Sequence, residues 1–99
     1  MTDPAQCRDM TDLRQLIDGL DRDLVRLLAL RQRCIDRAAE LKRHEDLPAR
    51  IPARVEEVVA NIRSAARAEG ADADLLETLW RQLIDWSIAR EDMQLRAPE

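Results

Sequence analysis

The sequence predicts an all-α fold with three helices per chain, one long N-terminal helix and two shorter ones. Strand-favouring aromatic residues are scarce, because the 99-residue chain has no Phe, no Tyr and two Trp. Apolar residues recur at alternating steps of three and four, which is the period of an amphipathic helix. Pro48, Pro52 and Gly70 fall between the three periodic segments. Together these observations favour a helical domain over a sheet.

The first helix is predicted to start near Thr11, whose side chain can cap the free backbone N–H groups, and to end around His44. Residues 1–10 are interpreted as a polar leader and residues 11–96 as a single domain. An apolar stripe with a nearly heptad period follows this helix. Its members are Leu13, Ile17, Leu20, Leu24, Leu27, Arg31, Cys34, Ala38 and Leu41.

The two shorter helices are delimited by proline, glycine and aspartate. Pro52 suits the first turn of the second helix, where its missing N–H costs nothing, and Gly70 ends that helix. Asp72 or Asp74 can cap the third helix, which frays before Pro98.

The length of the first helix predicts a partner chain. About 33 residues give a helix of ~50 Å, whereas a compact domain of about 100 residues has a radius of gyration of only ~13 Å. Two shorter helices cannot cover so long an apolar stripe in one globule. A symmetric homodimer is the commonest solution.

Composition argues against several classes of protein. The formal net charge of -4 does not suit a general nucleic-acid or membrane-surface binder, which is more often basic. No apolar run approaches the ~20 residues that span a bilayer. The polar leader lacks a signal-peptide core, and two cysteines and one His argue against a disulfide scaffold or a zinc site. We therefore expect a cytoplasmic protein.

Two cations lie on the apolar face of the first helix. Arg31 and Lys42 are separated by a turn of about 1,100°, which is three full turns plus ~20°. They therefore share one face, and Ala38 and Ala39 between them leave space. Inward-facing cations are costly when unpaired, so a negative group is expected between them. In the alternative interpretation, both side chains reach the surface from the edge of the stripe.

Polar residues on the other helices add to this pattern. Ser87 and Glu91 share one face of the third helix, and Arg54 lies just inside the second. Each has an ordinary alternative: a solvated carboxylate for Glu91, a hydroxyl bonded to its own helix for Ser87, and a surface position for Arg54. The combined pattern, rather than any single residue, indicates a site.

Arg14 lies far from the other cations along the first helix. It is ~25 Å from Arg31 along the axis and about 100° around it, so it cannot easily reach a small ligand held by Arg31 and Lys42 of its own chain. In an antiparallel dimer it could reach the ligand of the partner. The alternative is an ordinary exposed residue in the first turn.

The order of these residues resembles the AroQ chorismate mutases. Residues 13–21, LRQLIDGLD, resemble the opening LRxxIDxxD of that family, and residues 27–31, LLALR, resemble its LLxxR segment. Lys42 follows at the spacing that the family requires.

The rest of the chain continues the resemblance. Arg54 matches the arginine that opens the family's second helix, and Ser87 and Glu91 match its Ser-x-x-x-Gln/Glu pair on the last helix. The resemblance extends over about residues 11–93. Each piece is a weak motif alone, but six pieces in order at these spacings are specific.

The resemblance implies an intertwined homodimer with two identical active sites and no metal or cofactor. Each site is built mainly from one chain and receives Arg14 from the other. The implied substrate is chorismate, a small dicarboxylate, which Arg31 and the visiting Arg14 bind through their planar guanidinium groups. Ser87 and Arg54 are implied to lie nearby.

The implied reaction is an intramolecular rearrangement of chorismate to prephenate, a step in aromatic amino acid biosynthesis. The enzyme holds the substrate in a reactive conformation and stabilises charge that develops on the ether oxygen. The implied catalytic residues are Lys42 and Glu91, which donate to that oxygen, together with Arg31. Glutamine donates at any pH, whereas Glu91 donates only when protonated.

Two alternatives stay open. Residues 3–7 and 51–55 look like the family's isochorismate pyruvate-lyases, which lead to salicylate, and Val55 replaces a glutamate that in many mutases binds the ring hydroxyl. Ser87 and Glu91 look more mutase-like, so we interpret the chain as a chorismate mutase with lyase activity as the alternative. A non-enzymatic helical dimerisation module is the remaining possibility.

Overall fold

The computed structural model describes residues 3–98 and contains three long helices. A short 3-10 helix, Pro4–Gln6, precedes α1 (Met10–Glu45), α2 (Pro52–Glu69) and α3 (Ala73–Arg96). No strand occurs in this described part of the chain. The prediction of an all-α fold with one long and two shorter helices is therefore confirmed. The chain divides into two compact units, one up to Arg33 and one from Cys34 onward, and α1 continues through both.

The first unit begins with a capped helix, but the cap is not the predicted one. The backbone N–H of Asp12 donates to Asp9 Oδ1 at 2.8 Å, and Thr11 already lies inside α1. Asp9 lies one residue before the helix starts, and its carboxylate accepts from the free N–H groups more strongly than a hydroxyl does. Asp12 in turn forms an ion pair with Arg8 at 3.0 Å, which lowers the pKa of the Asp12 carboxyl.

The first unit exposes large apolar side chains. Leu24 and Leu27 of the predicted stripe are 55% and 57% exposed in the single chain. Such contiguous apolar exposure is uncommon on a soluble surface that has no partner. The other large exposed side chains of this stretch are Ile17, Val25, Leu28 and Leu30.

The second unit is built on the close packing of α2 against α3. Val59 and Ala66 of α2 and Ile84 of α3 are buried between these helices, and Ala39 and Ala49 are also buried. A line of alternating charges supports the α2–α3 pair, because each cation in it faces two carboxylates. Its members are Glu56, Arg63, Asp74, Glu77 and Arg81.

Both α1 and α2 end in the same kind of left-handed turn. Asp46 after α1 has φ 56° and Gly70 after α2 has φ 73°. In each turn a later N–H returns to the helix: Leu47 N donates to the Lys42 carbonyl at 2.8 Å, and Ala71 N donates to the Ala66 carbonyl at 2.7 Å. This is the Schellman arrangement, in which glycine is the usual left-handed residue.

Helices α2 and α3 begin as the sequence predicts. Pro52 occupies the first turn of α2, and Asp72, not Asp74, caps α3 by accepting from two backbone N–H groups. In the part of the chain that the structure describes, none of the helices has the length and apolar character needed to cross a membrane.

Candidate functional site

The second unit holds Lys42 in place through both its backbone and its side chain. Lys42 lies in the last turn of α1, and its carbonyl accepts from Leu47 in the turn that follows. Its Nζ donates to the carbonyl oxygen of Ala49 at 2.7 Å, and Ala49 is itself buried. The loop between α1 and α2 therefore fixes an ammonium group that is only 19% exposed.

Glu91 pairs with Lys42, one of the two cations on the predicted face of α1. It lies on α3 and is 4% exposed, and its Oε1 is 2.6 Å from Lys42 Nζ. The two groups form an ion pair, but the angle between them does not suit a hydrogen bond. Among the described residues, no other donor forms a hydrogen bond to Oε1. A buried carboxyl oxygen that lacks an aligned donor is costly unless a further group completes its surroundings.

Ser87 lies one turn before Glu91 and is 3% exposed. Its Oγ donates to the carbonyl oxygen of Leu83 in its own helix at 2.8 Å. The ordinary interpretation of Ser87 as a helix-bonded hydroxyl therefore describes one of its contacts, whereas the ordinary interpretation of Glu91 as a solvated carboxylate is wrong. With Ile84, these residues form the buried face of α3.

Arg54 lies in the first turn of α2, outside this buried cluster. Its side chain is 62% exposed and pairs with Glu57 at 2.5 Å, on the same helix. The ordinary interpretation of Arg54 as a surface residue therefore describes this structure.

Arg14 and Arg31 belong to the first unit. Arg14 is exposed and Arg31 is half-buried in the single chain. Among the six predicted residues, the structure thus brings together Lys42, Ser87 and Glu91 within one unit.

A polar cluster next to this site is not predicted by the sequence. Asp36 on α1 accepts from Arg90 Nε at 2.5 Å, from Arg90 Nη2 at 3.1 Å and from Gln94 Nε2 at 2.8 Å. Hydrogen bonds from Arg90 and then Gln94 lower the pKa of Asp36, and the bond to Asp36 raises the pKa of Arg90. No local signal reveals this cluster, because Asp36 lies more than 50 positions away from both Arg90 and Gln94.

The site can stabilise charge on a bound ligand without forming a covalent bond to it. It combines a held ammonium group, a buried carboxyl and a buried hydroxyl, in surroundings largely shielded from water. In such surroundings a fixed charge acts on a bound anion much more strongly than it does in water.

Comparison with known proteins identifies the family to which this sequence is similar. The family model for chorismate mutase type II matches residues 13–92. The isochorismate pyruvate lyase of Pseudomonas aeruginosa is 34% identical over 92 residues, covering 92% of this chain and 89% of that protein.

Two further relatives are much longer than this chain. The T-protein of Haemophilus influenzae is 34% identical over 83 residues, which cover 84% of this chain and 22% of that protein. The T-protein of Enterobacter agglomerans is 33% identical over 84 residues, which cover 85% of this chain and 22% of that protein. The chain thus spans about a fifth of each T-protein and nearly all of the lyase. Since the family match extends over most of the sequence, the resemblance read from its motifs is confirmed, and the chain belongs to the chorismate mutase type II family.

Proposed function

We propose that this protein is a chorismate mutase that converts chorismate to prephenate, and that it acts as a homodimer. The observation that carries the proposal is the contact between Lys42 and Glu91, two groups held on different helices and withdrawn from water. Family membership supplies the substrate class.

Lys42 is proposed to stabilise the charge that develops during the reaction. As chorismate rearranges, its ether C–O bond breaks while a new C–C bond forms in the same molecule, and negative charge grows on the ether oxygen. An ammonium group already fixed by Ala49 needs little reorganisation to donate to that oxygen, which is the condition for effective electrostatic catalysis.

Glu91 is proposed to donate to the same oxygen from the other side. A carboxyl group can do so only in its protonated form.

The carboxylates of the substrate are proposed to be bound by arginines. Arg31 would take one of them and the partner subunit's Arg14 the other, with Ser87 and Arg54 contributing contacts. Each guanidinium presents a planar pair of donors that fits a carboxylate. The substrate would then be held folded, with its reacting ends close together.

The dimer itself is supported by the apolar side chains of the first unit. Leu24, Leu27 and their neighbours are exposed in the single chain, and a second copy of the same helix would present a matching apolar stripe. A two-fold symmetric contact would bury both stripes at once.

Isochorismate pyruvate-lyase activity is the second candidate. The matched lyase aligns over 89% of its own length, and Val55 lacks the carboxylate with which many mutases bind the ring hydroxyl. In this reaction the same cations would stabilise the departing enolpyruvyl oxygen.

The decisive experiment offers chorismate and isochorismate separately to the purified protein and assays prephenate, salicylate and pyruvate. A mutase yields mainly prephenate from chorismate, and a lyase yields salicylate and pyruvate from isochorismate. The variant Lys42→Met, which keeps most of the length of the side chain without its charge, should lower turnover by about 10²–10³-fold with either substrate, as loss of one donor to a developing oxyanion does.

A binding experiment tests the non-enzymatic alternative. An enzyme should bind a transition-state analogue of the rearrangement and lose that binding in Arg31→Ala. A dimerisation module should show neither the binding nor the loss.

A further inference from the structure

Asp36 and Arg90 form the most complete polar contact between α1 and α3. Two nitrogens of the Arg90 guanidinium face the two carboxylate oxygens of Asp36, at 2.5 and 3.1 Å. Gln94 adds a third donor to Asp36 at 2.8 Å. This fork-to-fork arrangement fixes orientation as well as distance, unlike a single ion contact.

The guanidinium of Arg90 is also held from its own helix. Its Cζ lies 5.5 Å from the centre of the Trp86 ring, one turn earlier on α3. Asp36 and Arg90 are each about one third exposed, and ion pairs with that much solvent contribute little to global stability. A contribution to global stability therefore does not explain why the two side chains pair through two hydrogen bonds.

The cluster lies directly beside the Lys42–Glu91 contact. Arg90 immediately precedes Glu91 on α3, and Arg43, immediately after Lys42 on α1, donates to the backbone carbonyl of Gln94. Contacts on both sides of Lys42 along α1 thus join it to the same stretch of α3, because Gln94 bonds to Asp36 as well as to Arg43.

The register of α1 against α3 decides whether Lys42 meets Glu91. Within the second unit, α2 and α3 approach closely along their backbones, whereas long side chains bridge α1 and α3. A shift of one helix by a single residue is ~1.5 Å along its axis, and this is enough to separate two groups whose contact distance is 2.6 Å.

We propose that Asp36 and Arg90 form a positioning pair that sets the register of α1 against α3 and thereby aligns Lys42 with Glu91. The proposal rests on the function proposed above for those two residues. Asp36 and Arg90 touch neither the substrate nor the reacting atoms, and act through the placement of Lys42.

A double-mutant cycle on turnover tests this pair. Asp36→Ala, Arg90→Ala and the double variant should each lower kcat by about 10–10²-fold, as expected for a misplacement near 1 Å, and the double variant should be no slower than the worse single variant. KM should stay within about twofold, because the pair does not bind the substrate. The exchanged pair, Asp36→Arg with Arg90→Asp, should recover much of kcat.

Arg81→Ala is the matched control. Arg81 is also an α3 arginine with similar exposure and carboxylate partners, but those partners lie on α2 and α3, so kcat should stay near the wild-type value. Equal losses in Arg81→Ala and Arg90→Ala, additive losses in the cycle, or loss of substrate affinity in place of kcat would each overturn the positioning role.

Amide hydrogen exchange tests, without any substrate, whether the pair holds the end of α1 in place. Residues 38–45 of α1 should exchange at least tenfold faster in Arg90→Ala than in wild-type protein or Arg81→Ala; unchanged exchange would overturn the inference. If wild-type protein turned over neither chorismate nor isochorismate, the proposed function would fail, and the exchange result would still decide whether the pair holds α1 in place.

Discussion

At the scale of single residues, Glu91 is the group whose chemistry is most open to measurement. It is buried beside Lys42, at a position where the family has either glutamine or glutamate. Glutamine donates a hydrogen bond whatever the pH, and glutamate donates only while it carries a proton. The identity of this residue should therefore appear in the pH dependence of the reaction.

We predict that mutase activity falls as the pH rises, because only a protonated carboxyl can donate, and that Glu91→Gln flattens the profile. The measurement is kcat for chorismate across the pH range in which the protein is folded. Ser87→Ala is the control, because a serine hydroxyl does not titrate there and the slope should remain. Identical profiles for wild type and Glu91→Gln would remove Glu91 from the mechanism.

Asp36 predicts a pH effect on stability. Its pKa is lowered in the folded protein, first by Arg90 and then by Gln94, so its stabilising contribution is present above the ordinary aspartate value of about 3.9 and is lost as the pH falls through the lowered pKa. Asp36→Asn should lower the melting temperature only slightly at pH 7, and the difference from wild type should shrink as the pH falls below the ordinary aspartate value.

The control for this experiment is Asp85→Asn. Asp85 pairs with Arg50 at 3.0 Å but is 69% exposed, so its replacement should change the melting temperature little at either pH. Protein concentration must be equal in all samples, because association shifts melting temperatures. A difference for Asp36→Asn that persists unchanged well below the ordinary aspartate value would contradict the prediction.

At the scale of elements, the helices follow from local signals, but the contacts between them do not. Apolar spacing, Pro52 and Gly70 are enough to locate the three helices. The predicted cap of α1, Thr11, lies only two residues after the observed cap, Asp9. The left-handed Asp46 was not foreseen, because aspartate is much less specific for that conformation than glycine.

Asp46 gives a prediction about the end of α1. Asp46→Gly should stabilise the protein by about 0.5–1 kcal/mol, because glycine adopts a positive φ without the steric cost that a side chain brings. Gly70→Ala is the matched control at the equivalent turn after α2. An added Cβ at Gly70 meets nothing within 4 Å, so backbone strain alone should destabilise that variant by about 1 kcal/mol. Denaturant unfolding measures both, and a destabilised Asp46→Gly would refute the strain argument.

The candidate site shows the same division between local and non-local information. Lys42, Ser87 and Glu91 could be selected from the sequence because each has a fixed spacing within its own helix. The carbonyl of Ala49 and the Asp36–Arg90 pair could not, since each depends on how separate segments meet. In addition, every residue has a backbone carbonyl, so the residue type does not reveal which carbonyl accepts a hydrogen bond.

At the scale of the whole molecule, the proposed dimer makes each site depend on two chains. Arg14 lies on the first unit and Lys42 on the second, and the proposal gives one site Lys42 from one chain and Arg14 from the other. Variants of these two residues should therefore complement each other when they are placed in different chains of one dimer.

We predict that Arg14→Ala and Lys42→Met are each nearly inactive, and that mixing them after dissociation and reassociation restores activity. Random pairing gives half mixed dimers with one intact site of two, hence about one quarter of wild-type activity. Sedimentation should show a species of twice the chain mass of 11.4 kDa. Arg14→Ala mixed with Arg14→Ala is the control, and a mixture that stays inactive would place Arg14 in the site of its own chain.

The double attachment of Lys42 also limits what the connection between α1 and α2 can tolerate. One bond joins its carbonyl to Leu47 and another joins its ammonium to Ala49, so the spacing from Lys42 to Ala49 is part of the site. A flexible glycine–serine spacer of the same length would still join the two helices, but it would no longer hold the ammonium group in one position. The segment between α1 and α2 therefore fixes the position of a site residue as well as connecting two helices.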